Sequence, residues 1–406
     1  MTETRSGPLT GMRVIDISTS YAGPTASMLL GDMGAEVIKV ERPKVGDDSR
    51  HWGPPFLAGE SAWFLSANRN KRSICLDFSS AEGLGVLLHL VERADVFLES
   101  LNPAKLERLG LAPDQVTARA PRVIYCALSG FGLSGPDQGL PGYDLVAQAR
   151  SGLMSVTGAA GGLPQRVSTA LSDVVAGMVA AFAITAALRE QARSGRGQVI
   201  DVSLLEAPLA LIAPRVASYL AGEPEPRPSG AADSVLSVYQ AFPTADCPIV
   251  IAVGNDSMWQ RFCQALELNE FAADEALATN AGRRERRADI LPAIAARLAE
   301  RPATFWLERL AEAGVPCSVI QSLSDVLVDP QIVAREAIMT LDHPTAGRVR
   351  VVGSPWRLGT DGASPAHLPP PLLGAATIDV LREAGYAAHE IEELLAREIA
   401  WAPPRT

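Results

Sequence analysis

The sequence lacks the cysteine pattern of a metal site or of a disulfide framework. Its five cysteines are scattered along the chain, with no CxxC pair and no neighbouring group of histidines. Zinc ligands and paired cysteines occur at short, regular spacings, so neither kind of site is expected. We predict no metal ion, and we interpret the cysteines as small buried side chains in a reducing compartment.

Positive charge is also scarce, because 36 Lys and Arg residues stand against 46 Asp and Glu residues, for a formal net charge of −10. Nucleic acids and anionic membranes recruit an excess of Lys and Arg, so neither partner is expected. No apolar run reaches the roughly 18 residues of a membrane span, and the N-terminus lacks the apolar core of a signal peptide. We therefore predict a cytoplasmic protein in which any anionic ligand is held by local basic residues.

Familiar nucleotide and hydrolase motifs are absent. The turn after the first predicted strand reads STSYAGP rather than GxGxxG, and the chain contains no GxxxxGK[ST], HExxH or GxSxG motif. Each of these motifs carries a specific phosphate-binding, metal-binding or nucleophile geometry. The motifs therefore give no indication of a nicotinamide-binding protein, an NTPase or a hydrolase.

Strand and helix patterns alternate in the first half of the chain. MRVIDIS, YAGPTASMLLGDMG and EVIKVER form a strand, helix and strand pattern, and RSICLDF, SSAEGLGVLLHLVERA and DVFLES repeat it. This alternation predicts an α/β fold, with a Rossmann-like large domain whose mostly parallel sheet is covered by helices. Ligands are expected at the loops that follow the strands.

The length of 406 residues exceeds what one core usually supports, and SYLAGEPEPRPSGAA has the composition of a linker. We predict a large α/β domain over 1–215, a linker over 216–230, a small α+β domain over 231–330, and a C-terminal return over 331–406 that completes the large domain. The Ala/Val-rich segment from Ser172, closed by Gly195, is predicted to be a core helix too short for a membrane.

Asp173 stands in TALSDVVAG, directly before this apolar helix. At that place a carboxylate meets the positive end of the helix dipole and free amide hydrogens, which favour its ionised form. An ionised carboxylate can act as a nucleophile or as a helix N-cap. The pattern by itself favours the N-cap.

Several segments together resemble the family III CoA-transferases of the formyl-CoA:oxalate and carnitine CoA-transferase type. They cover roughly residues 8–210 in the family's order, and PPPLLGAATIDVLREAGY resembles the family's C-terminal ending. The segments are LTGMRVIDIS, AGPTASMLLGDMGAEVIKVERP, NRNKRSICLDF, ESLNPAKLERLG, VIYCALSGFGLSGP, PGYDLVAQARSGLMSVTG, ALSDVVAG and SGRGQVIDVSLLEA.

The resemblance implies an enzyme of acyl-CoA metabolism that moves CoA from an acyl-CoA thioester to a carboxylic acid. It implies that Asp173 is the nucleophile, which forms an acyl anhydride and then a CoA thioester. Coenzyme A is then a substrate, bound by the large α/β domain over 1–215, and no tightly bound cofactor is expected. The residues that the resemblance places at or near the CoA path are Thr19, Tyr21, Ala22, Arg42, Lys71, Arg72, Arg108 and Tyr143.

The chain departs from the family's pattern at two loops. Thr19 stands where a His is frequent in the first loop, so the CoA contacts of that loop rest on backbone groups. VGNDS, at 253–257, stands where some members carry a run of glycines. Gly254 and Asn255 are therefore candidates for a lid over the intermediates or for oxyanion stabilisation.

Two alternative functions stay open at this point. The first is a 2-methylacyl-CoA racemase or another CoA-linked isomerase, but Tyr143 stands where such racemases carry a His, which removes one base of a two-base mechanism. The second is a non-catalytic acyl-CoA-binding protein, which would keep the basic loop ends without needing Asp173.

The sequence motifs give less information about which carboxylic acids are exchanged and about the oligomeric state. Arg150, Arg166 and Arg215 are candidates to hold the second carboxylate of a small dicarboxylic acid, and structural ion pairs are an equal alternative for each. Transfer of CoA within one substrate also stays open. The resemblance implies a homodimer of interlocked chains.

Overall fold

The computed structural model describes residues 7–358 and 367–404. The chain forms two compact units. The first contains residues up to 153, residues 166–221 and the residues from 333 onward, and the second contains residues 154–165 and 222–332. The sequence patterns did not indicate that residues 154–165 belong with the second unit.

The described strands are β1 (Arg13–Asp16), β2 (Glu36–Glu41), β3 (Phe56–Leu57), β4 (Glu60–Ser61), β5 (Lys71–Leu76), β6 (Val96–Glu99), β7 (Ile124–Ser129), β8 (Val199–Ser203), β9 (Tyr239–Phe242), β10 (Ile249–Ala252), β11 (Cys317–Val319), β12 (Ile338–His343), β13 (Gly347–Val352) and β14 (Ala400–Trp401).

The described helices are α1 (Ala22–Asp32), α2 (Ala62–Ala67), α3 (Ala81–Val91), α4 (Pro103–Leu109), α5 (Pro113–Arg119), α6 (Asp144–Arg150), α7 (Leu153–Val156), α8 (Leu171–Ser194), α9 (Glu206–Leu211), α10 (Ala213–Leu220), α11 (Asp256–Ala265), α12 (Asn269–Ala273), α13 (Asn280–Glu285), α14 (Arg287–Leu298), α15 (Ala303–Glu312), α16 (Leu323–Val326), α17 (Pro330–Ala334), α18 (Thr377–Glu383) and α19 (Ala388–Ala396), with short 3₁₀ turns at Asp48–His51 and Glu275–Leu277.

The central sheet of the first unit has seven strands in the order β14-β5-β2-β1-β6-β7-β8. All neighbours pair in parallel except β14, which runs antiparallel to β5. The chain builds outward from β1 through β2 and β5, and then crosses to the other side of β1 to add β6, β7 and β8. The strand order reverses between β1 and β6, which is where open α/β sheets leave a crevice for ligands. The predicted α/β fold with a mostly parallel sheet is confirmed.

Both faces of this sheet are buried, as a parallel sheet requires. Successive residues of β1 point to opposite faces, so Val14 packs into the core that includes Leu30 of α1 and Ala180 of α8. Ile15 packs into the core that includes Leu87 of α3 and Leu381 of α18. The C-terminal helices therefore complete one face of the sheet.

Helix α8 is the longest described helix, with 24 residues, and ends at Gly195 in a left-handed conformation. It packs closely along α1, because a Cβ at Gly177 would lie 2.7 Å from the Ala22 carbonyl oxygen. The expectation that this segment is too short for a membrane was wrong, since α8 is long and apolar enough to cross one. Half of its apolar window is buried inside the fold, as in a core helix.

The second unit has a three-stranded antiparallel sheet in the order β11-β10-β9. Its core includes Trp259 of α11, Ile294 of α14 and Trp306 of α15. The predicted linker begins inside a helix, because α10 extends to Leu220; Pro214 is tolerated in its first turn.

The cysteines are all unpaired, and Cys75, Cys126 and Cys263 are buried. Cys247 is exposed between β9 and β10, contrary to the expectation that the cysteines are buried, because it lies in a turn that reaches the surface.

Candidate functional site

A cavity of about 240 Å³ opens at the point where the strand order of the first unit reverses. The loops after β1, β6 and β7 and the first turn of α8 form its walls. Its lining residues are Thr19, Ser20, Ala22, Gly23, Ser100, Leu101, Asn102, Pro103, Leu128, Ser129, Gly130, Gln138, Leu140, Pro141, Gly142, Tyr143, Asp173 and Leu204. We call this space the switch-point cavity.

Asp173 lines the switch-point cavity from the first turn of α8. The helix begins at Leu171, so Asp173 is its third residue and neither precedes nor caps it, contrary to the expectation from the sequence. The cap comes instead from Asp144 at the start of α6, whose Oδ1 accepts a hydrogen bond from the Ser172 amide at 2.8 Å. Because another carboxylate accepts this amide bond, the Asp173 side chain does not serve as the cap.

The charge state of Asp173 also differs from the expectation. Burial and, to a smaller extent, the nearby Asp144 carboxylate together raise the pKa of Asp173 to about 7. The helix dipole was expected to keep the carboxylate ionised, but desolvation and a like charge oppose ionisation more strongly. Asp173 therefore keeps its proton to a higher pH than an ordinary carboxyl group.

Buried charges hold the loop after β1 against this cavity. Lys39 and Asp47 form an ion pair at 2.8 Å with both side chains fully buried. The Lys39 ammonium donates to the Ser18 carbonyl at 2.9 Å, and Asp47 accepts from the Ser20 amide at 3.0 Å. Ser20 has φ of 71°, a left-handed conformation that needs such support. The network therefore fixes where α1 begins.

Two glycines bring further walls of the cavity together. Gly130 follows β7 and Gly142 precedes α6, and a Cβ on Gly130 would lie 2.7 Å from the Gly142 Cα. Only a pair of glycines permits backbones this close. The contact fixes the loop that carries Tyr143 against the end of the sheet.

The structure brings Thr19, Ala22 and Tyr143 together with Asp173 in the switch-point cavity. Tyr21 is not among the lining residues. Its hydroxyl hydrogen bonds with Ser66 at 2.9 Å, and its ring packs edge-on against Trp63. The Tyr21 side chain therefore points toward Ser66 and Trp63 and does not line the cavity.

A second, smaller cavity of about 150 Å³ shares Thr19 and Leu101 with the first. Its lining combines the basic residues Lys39, Arg42 and Lys105 with the acidic residues Glu41, Asp47 and Asp48 and the aromatic ring of Phe78. Arg42 also pairs with Asp48 at 2.5 Å, and the Lys105 ammonium lies 5.9 Å from the Phe78 ring centroid. We call this space the basic cavity.

The other predicted CoA-binding cations line neither cavity. The Lys71 ammonium is buried and donates to the Pro24 carbonyl and Asn68 Oδ1, at 2.8 and 2.7 Å, and burial lowers its pKa to about 7. Arg72 forms ion pairs with Glu36 and Glu383. Arg108 is exposed near the end of α4. A role of these three cations in CoA binding stays a prediction from the resemblance.

The candidates outside the cavities have local roles. Gly254 and Asn255 belong to the second unit, where the Asn255 side chain caps α11 by accepting from the Met258 amide at 2.8 Å. Arg150 pairs with Asp137 at 2.7 Å, and Arg166 donates to the Val167 and Thr169 carbonyls. Arg215 lines neither cavity.

Several residues of the site were missed by sequence reasoning. Asp144 directly follows Tyr143 in the motif PGYDLVAQ, and this adjacency was the available signal. Lys105 lies in the motif that supplied Arg108, one helical turn earlier. Among the described residues, no group of three His, Cys, Asp or Glu side chains could hold a metal ion. None of the five histidines lines either cavity.

The sequence matches the model of a known family, CoA-transferase family III, over residues 9–377. The chain belongs to CoA-transferase family III. As members of this family act on CoA thioesters, the chain is a CoA-transferase that moves CoA from an acyl-CoA to a carboxylic acid.

Two relatives and one solved structure illustrate the likeness. The chain is 40% identical to "Succinyl-CoA:glutarate CoA-transferase" of Mus musculus, over 96% of this chain and 89% of the relative. It is 36% identical to "Succinate--glutarate CoA-transferase" of Agrobacterium fabrum, over 93% and 96% of the two chains. A CAIB/BAIF family protein from Brucella suis matches the fold with a TM-score of 0.80 and 34% identity, over 94% of this chain and all of that one.

Proposed function

We propose that this CoA-transferase works through covalent intermediates on Asp173. The observation that carries the proposal is the position of Asp173, which among the described residues is the one carboxylate that lines the switch-point cavity. A carboxylate with a raised pKa is a stronger nucleophile than an ordinary one once it is ionised. Arg42 and Lys105, which line the neighbouring basic cavity, support the proposal because they could pair with the anionic end of CoA.

The proposed reaction has two matched halves. The ionised Asp173 attacks the thioester carbonyl of the donor, the C–S bond breaks, and CoA leaves as a thiolate. The thiolate then attacks the aspartyl carbonyl of the mixed anhydride and expels the donor acid as a carboxylate, which leaves an aspartyl-CoA thioester. The acceptor acid repeats these steps in reverse. CoA keeps its remote contacts throughout, so the second attack is effectively intramolecular.

We propose that CoA spans both cavities, with its thioester beside Asp173 and its phosphates in the basic cavity. Thr19 and Leu101 line both spaces, so the two cavities are adjacent. Arg42 and Lys105 suit phosphate groups, and the Phe78 ring suits a planar base. Of the four cations predicted from the sequence to bind CoA, this placement retains Arg42.

The first turn of α1 is the proposed stabiliser of the oxyanions. Ala22 and Gly23 line the switch-point cavity, and the first amides of a helix have no carbonyl partner within it. Such amides favour developing negative charge without reorganisation. A lid role for Gly254 and Asn255 stays a separate proposal.

We propose small dicarboxylic acids as the acids exchanged, because the two relatives described above are named for succinate or succinyl-CoA and glutarate. The switch-point cavity has no Lys or Arg among its lining residues. Within the cavity, a second carboxylate would therefore be met by hydroxyl and amide groups, including Ser129, Asn102 and Gln138. Initial rates with succinate, glutarate and their monocarboxylate analogues would test this choice.

A homodimer is proposed from an exposed apolar stretch of α8. Met178, Val179 and Phe182 are exposed on a helix whose opposite face lies in the core, and Phe182 is 77% exposed. Exposed apolar side chains gathered in this way favour a protein partner. Light scattering should give twice the chain mass for the wild type, and Phe182→Glu should shift it toward the monomer. A monomeric wild type would refute the proposal.

The transfer step itself can be tested with Asp173→Asn. This variant keeps the size of the side chain but removes the nucleophile, so transfer from succinyl-CoA to glutarate should fall by at least about a thousandfold. CoA binding, measured by calorimetry, should stay within about twofold. Glu190→Gln removes an exposed carboxylate from the same helix and should retain full activity. Near-normal transfer by Asp173→Asn would end the proposal.

A further inference from the structure

Asp144 and Gln148 of α6 form a buried polar cluster with the segment that leads into α8. Asp144 Oδ1 accepts from the Ser172 amide at 2.8 Å, and Asp144 Oδ2 accepts from Gln148 Nε2 at 2.8 Å. Gln148 Oε1 in turn accepts from the Val167 amide at 2.9 Å. Both side chains are buried, with exposures of 9% and 0%. The cluster therefore fixes the backbone immediately before Asp173.

The cluster contains a negative charge that no cation neutralises. Over residues 7–358 and 367–404, no Lys, Arg or His pairs with Asp144, whose partners are an amide hydrogen and a side-chain amide. A backbone amide could be capped equally well by Ser or Asn, which carry no charge. A carboxylate adds repulsion toward Asp173, and this repulsion calls for a functional reason.

We propose that Asp144 favours the covalent intermediates of this CoA-transferase, because its charge destabilises the free Asp173 carboxylate but not the acylated one. The inference rests on the function proposed above. Asp144 does not line the switch-point cavity, so it is a positioning residue that acts through Asp173. The raised pKa of Asp173 agrees with such repulsion.

The charge balance of the reaction explains the effect. In the first half-reaction, the acyl C–S bond of the donor breaks and an aspartyl C–S bond forms. One oxygen of the Asp173 carboxylate leaves with the donor acid, and so does the negative charge. Asp173 changes from an anion beside Asp144 to a neutral thioester, so the repulsion is relieved at that step. Return to the free enzyme restores the repulsion.

Protonation of Asp173 and its conversion to the CoA thioester both remove the same negative charge, so the proposal can be stated quantitatively. Any change in Asp144 that lowers the pKa of Asp173 by one unit should lower the equilibrium constant for aspartyl-CoA formation tenfold. The two constants should therefore change together with unit slope on logarithmic axes. A residue with only a structural role would not link them in this way.

Other charged groups near α8 have partners of their own. Helix α8 packs against α1, α6, α9, β7 and β8. Besides Asp144, these elements carry four charged residues. Asp32 pairs with Arg69, and Arg150 pairs with Asp137. Glu206 accepts a hydrogen bond from the Ser203 hydroxyl, and Asp201 accepts one from the Leu133 amide. Tyr125 and Cys126 of β7 are also titratable, and burial raises both pKa values, so both stay neutral. Asp144 is the group that acts on Asp173 by charge.

The test uses the full chain and Asp144→Asn, which retains an oxygen for the Ser172 amide. The rate of aspartyl-CoA formation from succinyl-CoA is measured against pH. The equilibrium fraction of protein carrying CoA is measured above pH 8.5 by acid quench and intact-protein mass spectrometry at fixed succinyl-CoA and succinate. Wild type should show a midpoint near 7. In Asp144→Asn the midpoint should fall by about one pH unit and the equilibrium constant by about tenfold.

Asp144→Glu keeps the charge, so the acid dissociation constant of Asp173 and the equilibrium constant for aspartyl-CoA formation should both stay within about threefold of wild type. Glu190→Gln, on α8 with Asp173, should change neither constant. Wild-type labelling with unchanged constants in Asp144→Asn would overturn the inference, and so would a change in only one constant. Absence of any CoA adduct on the wild type would instead defeat the proposed function. If Asp144→Asn does not fold, Asp144→Ser removes the same charge and keeps a hydroxyl for the Ser172 amide, so it should lower both constants; no fall in either would overturn the inference.

Discussion

The contact between Gly130 and Gly142 makes a sharp prediction about the cavity walls. In Gly130→Ala, the new Cβ would lie 2.7 Å from the Gly142 Cα and 3.0 Å from its nitrogen. Non-bonded carbons prefer separations of at least about 3.5 Å, so the two backbones must move apart by about 0.8 Å. Both contacts are to backbone, which cannot rotate away. We expect a loss of about 1–3 kcal/mol in the free energy of unfolding, as for other overpacked sites.

The same displacement should reach the active site, because both glycines line the switch-point cavity. A shift of nearly 1 Å in a wall that positions substrate should lower kcat/KM by about a hundredfold. Urea denaturation and initial-rate kinetics measure the two effects.

Gly139→Ala is the matched control, since a Cβ at Gly139 meets nothing within 4 Å. It should change the free energy of unfolding by less than about 0.5 kcal/mol and leave kcat/KM unchanged. Equal losses in both variants, or no loss in Gly130→Ala, would refute the steric reasoning.

Three further predictions concern charged residues. Lys105→Met should weaken CoA binding about tenfold in calorimetry but leave the binding of an acyl-pantetheine, which lacks the nucleotide, unchanged. Glu99→Gln should flatten the fall in the free energy of unfolding between about pH 4.5 and 8, because burial raises the pKa of Glu99 from 4.5 to about 8. Over that range the folded protein keeps a proton that the unfolded chain has released, so stability declines as pH rises. Lys39→Met should lower the free energy of unfolding by about 3–5 kcal/mol, because it leaves Asp47 buried without its ammonium partner.

Each of these predictions has a contrary outcome. Equal weakening of CoA and acyl-pantetheine would remove Lys105 from the nucleotide end. A pH profile of unfolding that is the same in Glu99→Gln and wild type would show that Glu99 ionises normally in the fold. A Lys39→Met variant as stable as wild type would mean that the buried network does not hold the loop after β1.

The sheet and the place of the site were predictable because they depend on local patterns. Hydrophobic runs of strand length that alternate with helical periods indicate a parallel sheet, and ligands of such sheets gather after the strands. Thr19 and Tyr143 could be placed near the site from motifs alone. The start of α8 could not, because its cap is supplied by Asp144, which lies 28 residues earlier in the chain.

The sequence also could not predict the direction in which the basic side chains point. Lys71 and Arg72 are neighbours on β5, so their side chains leave opposite faces of the strand. Lys71 turns into a buried cluster 3.6 Å from Asp16, whereas Arg72 reaches Glu36 and Glu383 near the surface. The partners of both cations come from other elements. A motif that contains two adjacent cations cannot show which of them, if either, faces a ligand.

The raised pKa of Asp173 arises in the same way. Sequence reasoning offered the helix dipole, which is a property of one element. Desolvation and the Asp144 charge come from tertiary packing, and they outweigh it.

Peptide mapping of the trapped intermediate tests the central claim most directly. The wild-type protein is mixed with succinyl-CoA, quenched within one turnover, reduced with borohydride or trapped with hydroxylamine, and digested for mass spectrometry. The account predicts modification confined to the peptide that contains Asp173, and none in Asp173→Asn. Modification at another residue, or none at all while calorimetry shows CoA bound, would contradict it.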